Sequence, residues 1–188
     1  PAKVGADYDF SRRDPRWGRF QESISECPVL NAHYVRAFIR GIQGDGPVMK
    51  IAATCKHFYA YSLENSDGFT RHDFDAVVSE RDLRETYLVP FSACAGAGVA
   101  SIMCSYNAVN HLPTCLDGHA QNGILRGEFG FDGPIVSDCG ARECSNGRLV
   151  TVAVGSDGRP LLRTVADAWE PPNDPLTPGH GFAANETA

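Results

Sequence analysis

The chain has 188 residues, of which 43% are hydrophobic and 21% charged, so it is long and apolar enough to bury the core of about one domain. Its formal net charge of -6 leaves no basic excess of the kind that nucleic acid or an anionic membrane attracts. No apolar run reaches the roughly 20 residues of a membrane span. We therefore expect neither nucleic acid nor a membrane as a partner.

Hydrophobic spacing predicts three helices. The first covers 30–43, where apolar residues recur at helical intervals. The second begins at Ser79, which together with Asp82 three residues later resembles a helix start, and Pro90 should kink it. The third lies near 120–129.

Three short apolar runs alternate with these helices, at 49–58, 99–107 and 134–138. Runs of this length and composition are typical of strands buried on both faces. Parallel neighbouring strands need a crossover connection, which the intervening helices supply. The sequence therefore predicts an α/β fold with a parallel sheet.

The composition changes after Ala141. The apolar run Leu149 to Val154 favours one more strand, and a tail dense in Pro, Gly and Asn follows. We expect 1–145 to form the folded domain and 146–188 an atypical, largely irregular tail that is disordered beyond about Glu170.

Polar residues gather where the three predicted strands end. They are Lys56 and His57 on the first, Ser105, Tyr106 and Asn107 on the second, and Asp138 on the third. Taken singly, each has an ordinary explanation: a solvated lysine, a core histidine, or an aspartate that pairs with a cation. Taken together they favour a site, because ligands bind beyond the carboxyl ends of parallel strands and buried charge is costly without a purpose.

A further polar group is the segment Ser11 to Ser23, which contains Arg12, Arg13, Asp14, Arg16, Trp17 and Arg19. Internal Arg to Asp pairs would make it purely structural. Guanidinium groups beside an aromatic ring also suit a sugar, whose hydroxyls accept directed hydrogen bonds while the ring covers an apolar face. Both interpretations are open at this point.

The cysteine count is seven, which is odd, so at least one thiol has no partner within the chain. The number is compatible with an oxidising compartment, but several cysteines could equally be small buried apolar residues. No CxxC pair or zinc-finger spacing occurs, so a metal or redox protein built on the cysteines is disfavoured.

Four motifs occur in a specific order: "RDPRWGR", "CKHF" with "AYSLEN", "MCSYN" with "PTC", and "GFDGPIVSDCGA". Over roughly Val4 to Ala141 they resemble the N-terminal barrel domain of glycoside hydrolase family 3, and within it the β-xylosidase branch of fungi and plants. The resemblance implies a partial (β/α)8 TIM-type barrel with parallel strands and a retaining hydrolysis of β-linked sugars. It implies no metal and no cofactor.

The resemblance also implies roles for six residues. Asp138 would be the nucleophile, Arg19, Lys56 and His57 would hydrogen-bond the hydroxyls of the non-reducing sugar, and Met103 and Tyr106 would line the same subsite. These roles are physically consistent, because nearby cationic charge keeps a carboxylate ionised and a tyrosine can donate a hydrogen bond to it.

The branch rests on fewer residues. Cys139 stands where the family's β-glucosidases usually have Trp, and "AYSLEN" resembles the xylosidase segment "AYDLEN". These features favour a β-linked xylo-oligosaccharide as substrate, with a β-glucosidase as the alternative. The resemblance also raises two candidate disulfides, Cys104 with Cys115 or Cys139 with Cys144.

Retaining hydrolysis needs a second carboxyl group as acid/base. In this family it generally comes from a second domain after the barrel, which these residues do not resemble. The chain begins at Pro1 without a methionine, so we expect an excerpt or a processed product. An inactive sugar-binding fragment is therefore an alternative to an active enzyme. Secretion fits the cysteines and the Asn185-Glu186-Thr187 sequon.

Overall fold

The computed structural model describes the backbone at 4–6, 15, 17–66, 68–139, 141, 150–154 and 160–164, and side chains at 15, 17–66, 68–139 and 141. The strands are β1 (Val4–Ala6), β2 (Ala53–Phe58), β3 (Asn65–Ser66), β4 (Phe69–Thr70), β5 (Asp75–Ala76), β6 (Ser101–Cys104), β7 (Ala108–Val109), β8 (Leu112–Pro113), β9 (Ile135–Ser137), β10 (Val150–Val154) and β11 (Pro160–Thr164). The helices are α1 (Pro28–Gln43), α2 (Glu80–Asp82) and α3 (Val89–Gly96), with π-helical segments at Leu83–Tyr87 and His119–Glu128.

A four-stranded parallel sheet in the order β1-β2-β6-β9 forms the centre. The chain passes through α1 between β1 and β2, through the α2–α3 region before β6, and through the segment His119–Glu128 before β9. Strand register places Met103 opposite Val136 and Cys104 opposite Ser137. The predicted α/β class with a parallel sheet is confirmed.

The predicted first helix is α1, which begins with Pro28 in its first turn and ends before Gly44, whose φ of 76° suits glycine. Its last residue, Gln43, is buried and joins the starts of two strands. The Gln43 amide donates to the carbonyl of Gly98 at 2.8 Å, and its oxygen accepts from the backbone N–H groups of Ala53 and Ala100. One side chain thus aligns β2 with β6.

The second helix has the predicted start and break. The Ser79 side chain accepts a hydrogen bond from the backbone N–H of Asp82, as an N-cap does. Leu83–Tyr87 then takes π spacing before α3, which contains Pro90 in its first turn. Proline has no N–H to donate into the preceding turn, so a regular α-helix cannot run through it.

Two disulfides hold the layers together. Cys104–Cys115 confirms one of the predicted pairs, whereas Cys55–Cys94, which ties β2 to α3, was not predicted. Cys139 is an exposed free thiol, so its suggested pairing is not formed, and its suggested partner lies outside the described residues.

Two strands are described after Ala141. The strand predicted at 149–154 is β10, and it pairs in antiparallel fashion with β11, which the sequence analysis missed. The predicted disorder beyond Glu170 lies outside the described residues. Among the helices that the structure describes, none is long and apolar enough to cross a membrane.

Candidate active site

The predicted site lies at the carboxyl edge of the parallel sheet. Because β2, β6 and β9 are neighbours, their carboxyl ends meet there. Lys56 and His57 lie near the end of β2, Tyr106 follows β6 and Asp138 follows β9. The β2–β6 register shifts between Cys55 and Phe58, so the ladder is irregular where Lys56 and His57 leave it.

Asp138 is fixed by two contacts. Its Oδ2 lies 2.9 Å from Nε2 of His57, whose side chain is fully buried. The contact is an ion pair when His57 is protonated. Its Oδ1 accepts a 2.6 Å hydrogen bond from the backbone N–H of Cys139. Asp138 therefore pairs with the His57 side chain, in line with the interpretation that this aspartate pairs with a cation. The pair lies at the carboxyl edge of the sheet, where ligands bind in parallel α/β folds.

The surroundings of Asp138 favour its ionised form. Burial alone would raise the pKa of Asp138, but the imidazole of His57, the hydroxyl of Tyr106 and the N–H of Cys139 together hold that pKa below its ordinary value. A carboxylate that attacks carbon must be ionised, so these surroundings suit a nucleophile.

Tyr106 is buried beside this pair. Its hydroxyl donates to the carbonyl oxygen of Cys139 at 2.9 Å, and its ring centroid lies 6.3 Å from that of His57. Burial and then the charge of Asp138 raise the pKa of Tyr106 well above its ordinary value. The hydroxyl is therefore a proton donor at any physiological pH.

Arg19 and Lys56 share one carboxylate, Glu22. Nε and Nη2 of Arg19 each donate to a Glu22 oxygen at 2.8 Å, and Nζ of Lys56 lies 3.4 Å from Oε2. Burial alone would raise the pKa of Glu22, but the two cations hold it below its ordinary value. The pairing differs from the Arg to Asp pairs considered for this segment, whose residues 11–14 and 16 lie outside the described residues.

Glu64 is a second carboxylate at this edge, and it was not among the predicted site residues. Its Oε1 accepts from Nε1 of Trp17 at 3.1 Å and from the hydroxyl of Tyr61. Nε of Arg19 lies 3.8 Å from the same oxygen, and Nη1 of Arg71 lies 3.6 Å from Oε2. The "AYSLEN" motif contains Glu64, but nothing in the motif indicates that Glu64 contacts both arginines.

Arg71 and His72 were also missed, and both contact Tyr106. The Arg71 guanidinium carbon lies 4.1 Å from the centroid of the Tyr106 ring, and the His72 ring meets the Tyr106 ring edge-on at 5.1 Å. Both follow the short β3–β4 hairpin, in a segment where the sequence predicted no site residue.

Met103 has a different position from the other five predicted residues. It lies on β6, partly buried, and the described hydrogen bonds and ion pairs that connect the rest of the group do not include it. The structure thus links His57, Tyr106 and Asp138 directly, and links Arg19 and Lys56 through Glu22.

This edge combines the groups needed to hold a polar ligand beside a reactive carboxylate. The carboxylate is ionised and is offered by a rigid strand, and cationic and phenolic donors surround it. Sugar hydroxyls fit such a set of donors, and an anomeric carbon fits the carboxylate as the atom attacked.

The chain is similar to known proteins over most of its length. The sequence model of the Glycosyl hydrolase family 3 N terminal domain matches residues 2–150. Over 136 residues the chain is 48% identical to a beta-xylosidase/alpha-L-arabinofuranosidase of Medicago sativa subsp. varia and 48% identical to an exo-1,4-beta-xylosidase of Emericella nidulans. Each match covers 70% of this chain and 18% of the relative.

Solved structures give the same result. A GH3 exo-beta-xylosidase in complex with a xylobiose aziridine activity-based probe superposes with a TM-score of 0.69 and 34% identity over 76% of this chain and 19% of that one. The beta-glucosidase DesR from Streptomyces venezuelae, in complex with D-glucose, gives a TM-score of 0.67 and 37% identity over 74% of this chain and 17% of that one.

The chain spans about a fifth of the length of these relatives. The matches bear out the predicted fold class, a partial (β/α)8 barrel, over the part that they share. By both sequence and fold, this chain belongs to glycosyl hydrolase family 3, and residues 2–150 match its N-terminal domain.

Proposed function

We propose that this domain supplies the nucleophile and part of the sugar subsite of a retaining β-xylosidase-type glycosidase. The observation that carries the proposal is the position of Asp138, an ionised carboxylate at the end of β9 that is fixed by His57 and by the N–H of Cys139. A nucleophile needs this combination of charge and rigid placement.

In the proposed reaction, an Asp138 oxygen bonds to the anomeric carbon while the bond from that carbon to the leaving oxygen breaks. The leaving group departs with a proton from the acid, and water then releases the sugar and restores the Asp138 carboxylate. Arg19, Lys56 and His57 donate to the sugar hydroxyls, and Met103 and Tyr106 line the subsite.

The proposed acid/base lies in a second domain of the full-length protein. An acid needs a raised pKa, whereas Arg19 and Lys56 hold the pKa of Glu22 below its ordinary value. Glu64 is engaged by Trp17, Tyr61 and two arginines. Neither carboxylate suits the task, and a relative of which the match covers only 18% has room for another domain.

A β-linked xylo-oligosaccharide is the proposed substrate, and the protein is proposed to act in xylan catabolism. The named relatives at 48% identity are xylosidases, and a solved relative holds a xylobiose-derived probe. A β-glucoside is the alternative, because a solved β-glucosidase has a similar TM-score. We further propose an extracellular location, since the two disulfides are typical of an oxidising compartment.

An inactive sugar-binding fragment is the second candidate for the 188 residues alone. Its support is that both carboxylates beside the cluster, Glu22 and Glu64, are occupied by cations. In that case the domain binds xylobiose without turning it over.

The test uses 2,4-dinitrophenyl β-xyloside, whose leaving group departs without protonation and so does not need the acid. We expect slow release of dinitrophenol that Asp138→Asn abolishes, while Asp132→Asn, at an exposed position of the same region, has no effect. Release that survives Asp138→Asn would refute the assigned nucleophile. Xylobiose binding without any release would favour the inactive fragment.

A further inference from the structure

Arg71 has a position that the proposed reaction does not use. Its guanidinium lies over the face of the Tyr106 ring at 4.1 Å, and its side chain is 36% exposed. A guanidinium over an aromatic face is attracted by the negative charge of that face. Tyr106 itself is only 4% exposed, and Arg71 packs against its ring together with Tyr61 and His72.

Glu64 anchors Arg71 from the other side. Nη1 of Arg71 lies 3.6 Å from Oε2 of Glu64, and the backbone N–H of Arg71 donates to the Glu64 carbonyl oxygen at 2.7 Å. Glu64 in turn accepts from Trp17 and Tyr61, both of which are buried. Arg71 is therefore held at both its backbone and its side chain.

Beyond Tyr106, the contacts continue to the nucleophile. The Tyr106 hydroxyl donates to the carbonyl oxygen of Cys139, and the N–H of Cys139 donates to Oδ1 of Asp138. A continuous path of contacts thus runs from Glu64 through Arg71 and Tyr106 to Asp138.

We propose that Arg71 is a positioning residue, which clamps the Tyr106 ring so that the phenol hydroxyl stays on the Asp138–Cys139 segment and keeps the nucleophile ionised and aligned. The catalytic consequence rests on the proposed function, but the effect on Asp138 can be measured without turnover. Other groups that face Asp138 are the His57 imidazole from β2 and the Cys139 N–H.

The pKa of Asp138 can be measured in the full 188-residue chain by carbon-13 NMR titration of its carboxyl signal, which Asp138→Asn identifies by its loss. Arg71→Ala should raise that pKa by about 0.5 to 1 pH unit, the size expected when one hydrogen bond to a carboxylate region is weakened. Arg81→Ala is the matched control, because Arg81 is 83% exposed and pairs with Glu85, and it should cause no change.

Removal of a positive charge could also act on Asp138 directly, and a double-mutant cycle separates the two causes. If Arg71 acts through Tyr106, Arg71→Ala raises the Asp138 pKa in the wild-type background and has little further effect in Tyr106→Phe. Equal rises in both backgrounds, or no rise in either, would overturn the proposal.

Arg71→Lys provides a second check if the alanine variant folds poorly. Lysine keeps the charge but has no planar group to stack on the ring, so the Asp138 pKa should still rise. An Asp138 pKa in Arg71→Lys equal to that of the wild type would show that charge alone matters and would also overturn the proposal. Dinitrophenyl xyloside release that survives Asp138→Asn would refute the proposed function while leaving these titrations valid.

Discussion

Contacts between ionisable side chains occur in two regions of this domain, and their surroundings differ. At the carboxyl edge of the sheet, the His57 and Asp138 side chains are exposed by 0% and 11%. On the helical surface after Ser79, the Arg81 and Glu85 side chains are exposed by 83% and 61%. The chemical groups are similar, but only the second pair is largely surrounded by water.

This difference in exposure affects how much each pair contributes to the stability of the fold. An exposed pair four residues apart on a helix contributes about 0.3–0.5 kcal/mol, because water and salt screen it. A buried pair has a large desolvation cost that its attraction often fails to offset, so it is weak evidence for stability. Buried pairs such as His57–Asp138 are therefore better explained by what they do for a ligand.

Replacement of the nucleophile tests the buried region most severely. Asp138→Gly should lower turnover of an activated aryl β-xyloside by roughly 10⁴-fold or more, as loss of a covalent nucleophile does in other enzymes. Added azide should restore release, because it enters the space left by the carboxylate, bonds to the anomeric carbon and displaces the aryl oxide. The sugar product should be the α-xylosyl azide, identified by NMR. A β-azide would contradict attack from the Asp138 side.

The disulfide between the helical layer and the sheet should have the next largest effect. Cys55 and Cys94 are separated by 39 residues, and replacement of both by alanine should lower the free energy of unfolding by about 4 kcal/mol. Cys104 and Cys115, separated by 11 residues, should contribute about 3 kcal/mol. Urea denaturation measures both, and Cys27→Ser at an exposed free thiol is the control. The reverse order would contradict the loop-entropy explanation.

Regular structure was predictable where the sequence signals for it lie within a single segment of the chain. The first helix, expected at 30–43, is observed at Pro28–Gln43, because an apolar stripe and a following glycine are local signals. The strand expected at 99–107 is shorter, at Ser101–Cys104. Just beyond the strand, the backbone N–H of Ser105 still donates to the Phe58 carbonyl oxygen, and the Ser105 hydroxyl forms hydrogen bonds with Thr114 and the Tyr59 carbonyl oxygen.

The site was predictable in part. Asp138 and His57 could be placed together, since parallel strands bring their carboxyl ends to one edge. Glu22, Glu64 and Arg71 could not, because their contacts depend on how loops approach one another in three dimensions. The Cys55–Cys94 bond was missed for the same reason, since periodicity does not show which helix residue faces which strand residue.

Removal of the shared carboxylate tests the cationic part of the buried region. Glu22→Gln keeps the shape of the side chain but leaves Arg19 and Lys56 without their common counter-ion, so both should lose their fixed positions. We expect KM for the aryl β-xyloside to rise by about 10-fold, with a smaller change in kcat. Glu85→Gln, at the exposed pair, should leave both constants unchanged. Equal effects of the two substitutions would show that burial does not distinguish the regions.

Acid should weaken the buried region by protonating its paired carboxylates. The pKa values of Glu22 and Asp138 lie below their ordinary values of about 4, so both groups stabilise the fold above that pH. That stabilisation is lost as the pH falls through the lower folded values. Urea denaturation from pH 7 to pH 3 should therefore show a smaller decline for Glu22→Gln than for wild type. Identical profiles would argue against the paired state of Glu22.

The smallest change is expected from the exposed helix pair itself. Arg81→Ala removes the contact with Glu85, in which Nε and Oε1 are 3.1 Å apart, and a short distance suggests a strong interaction. The exposure of both side chains makes the interaction weak, because each group regains full hydration and side-chain freedom when the pair is broken. The free energy of unfolding in urea should change by less than about 0.5 kcal/mol, and less still in high salt. A loss well above 1 kcal/mol would mean that distance outweighs burial, and the buried pairs at the sheet edge would then need no functional explanation.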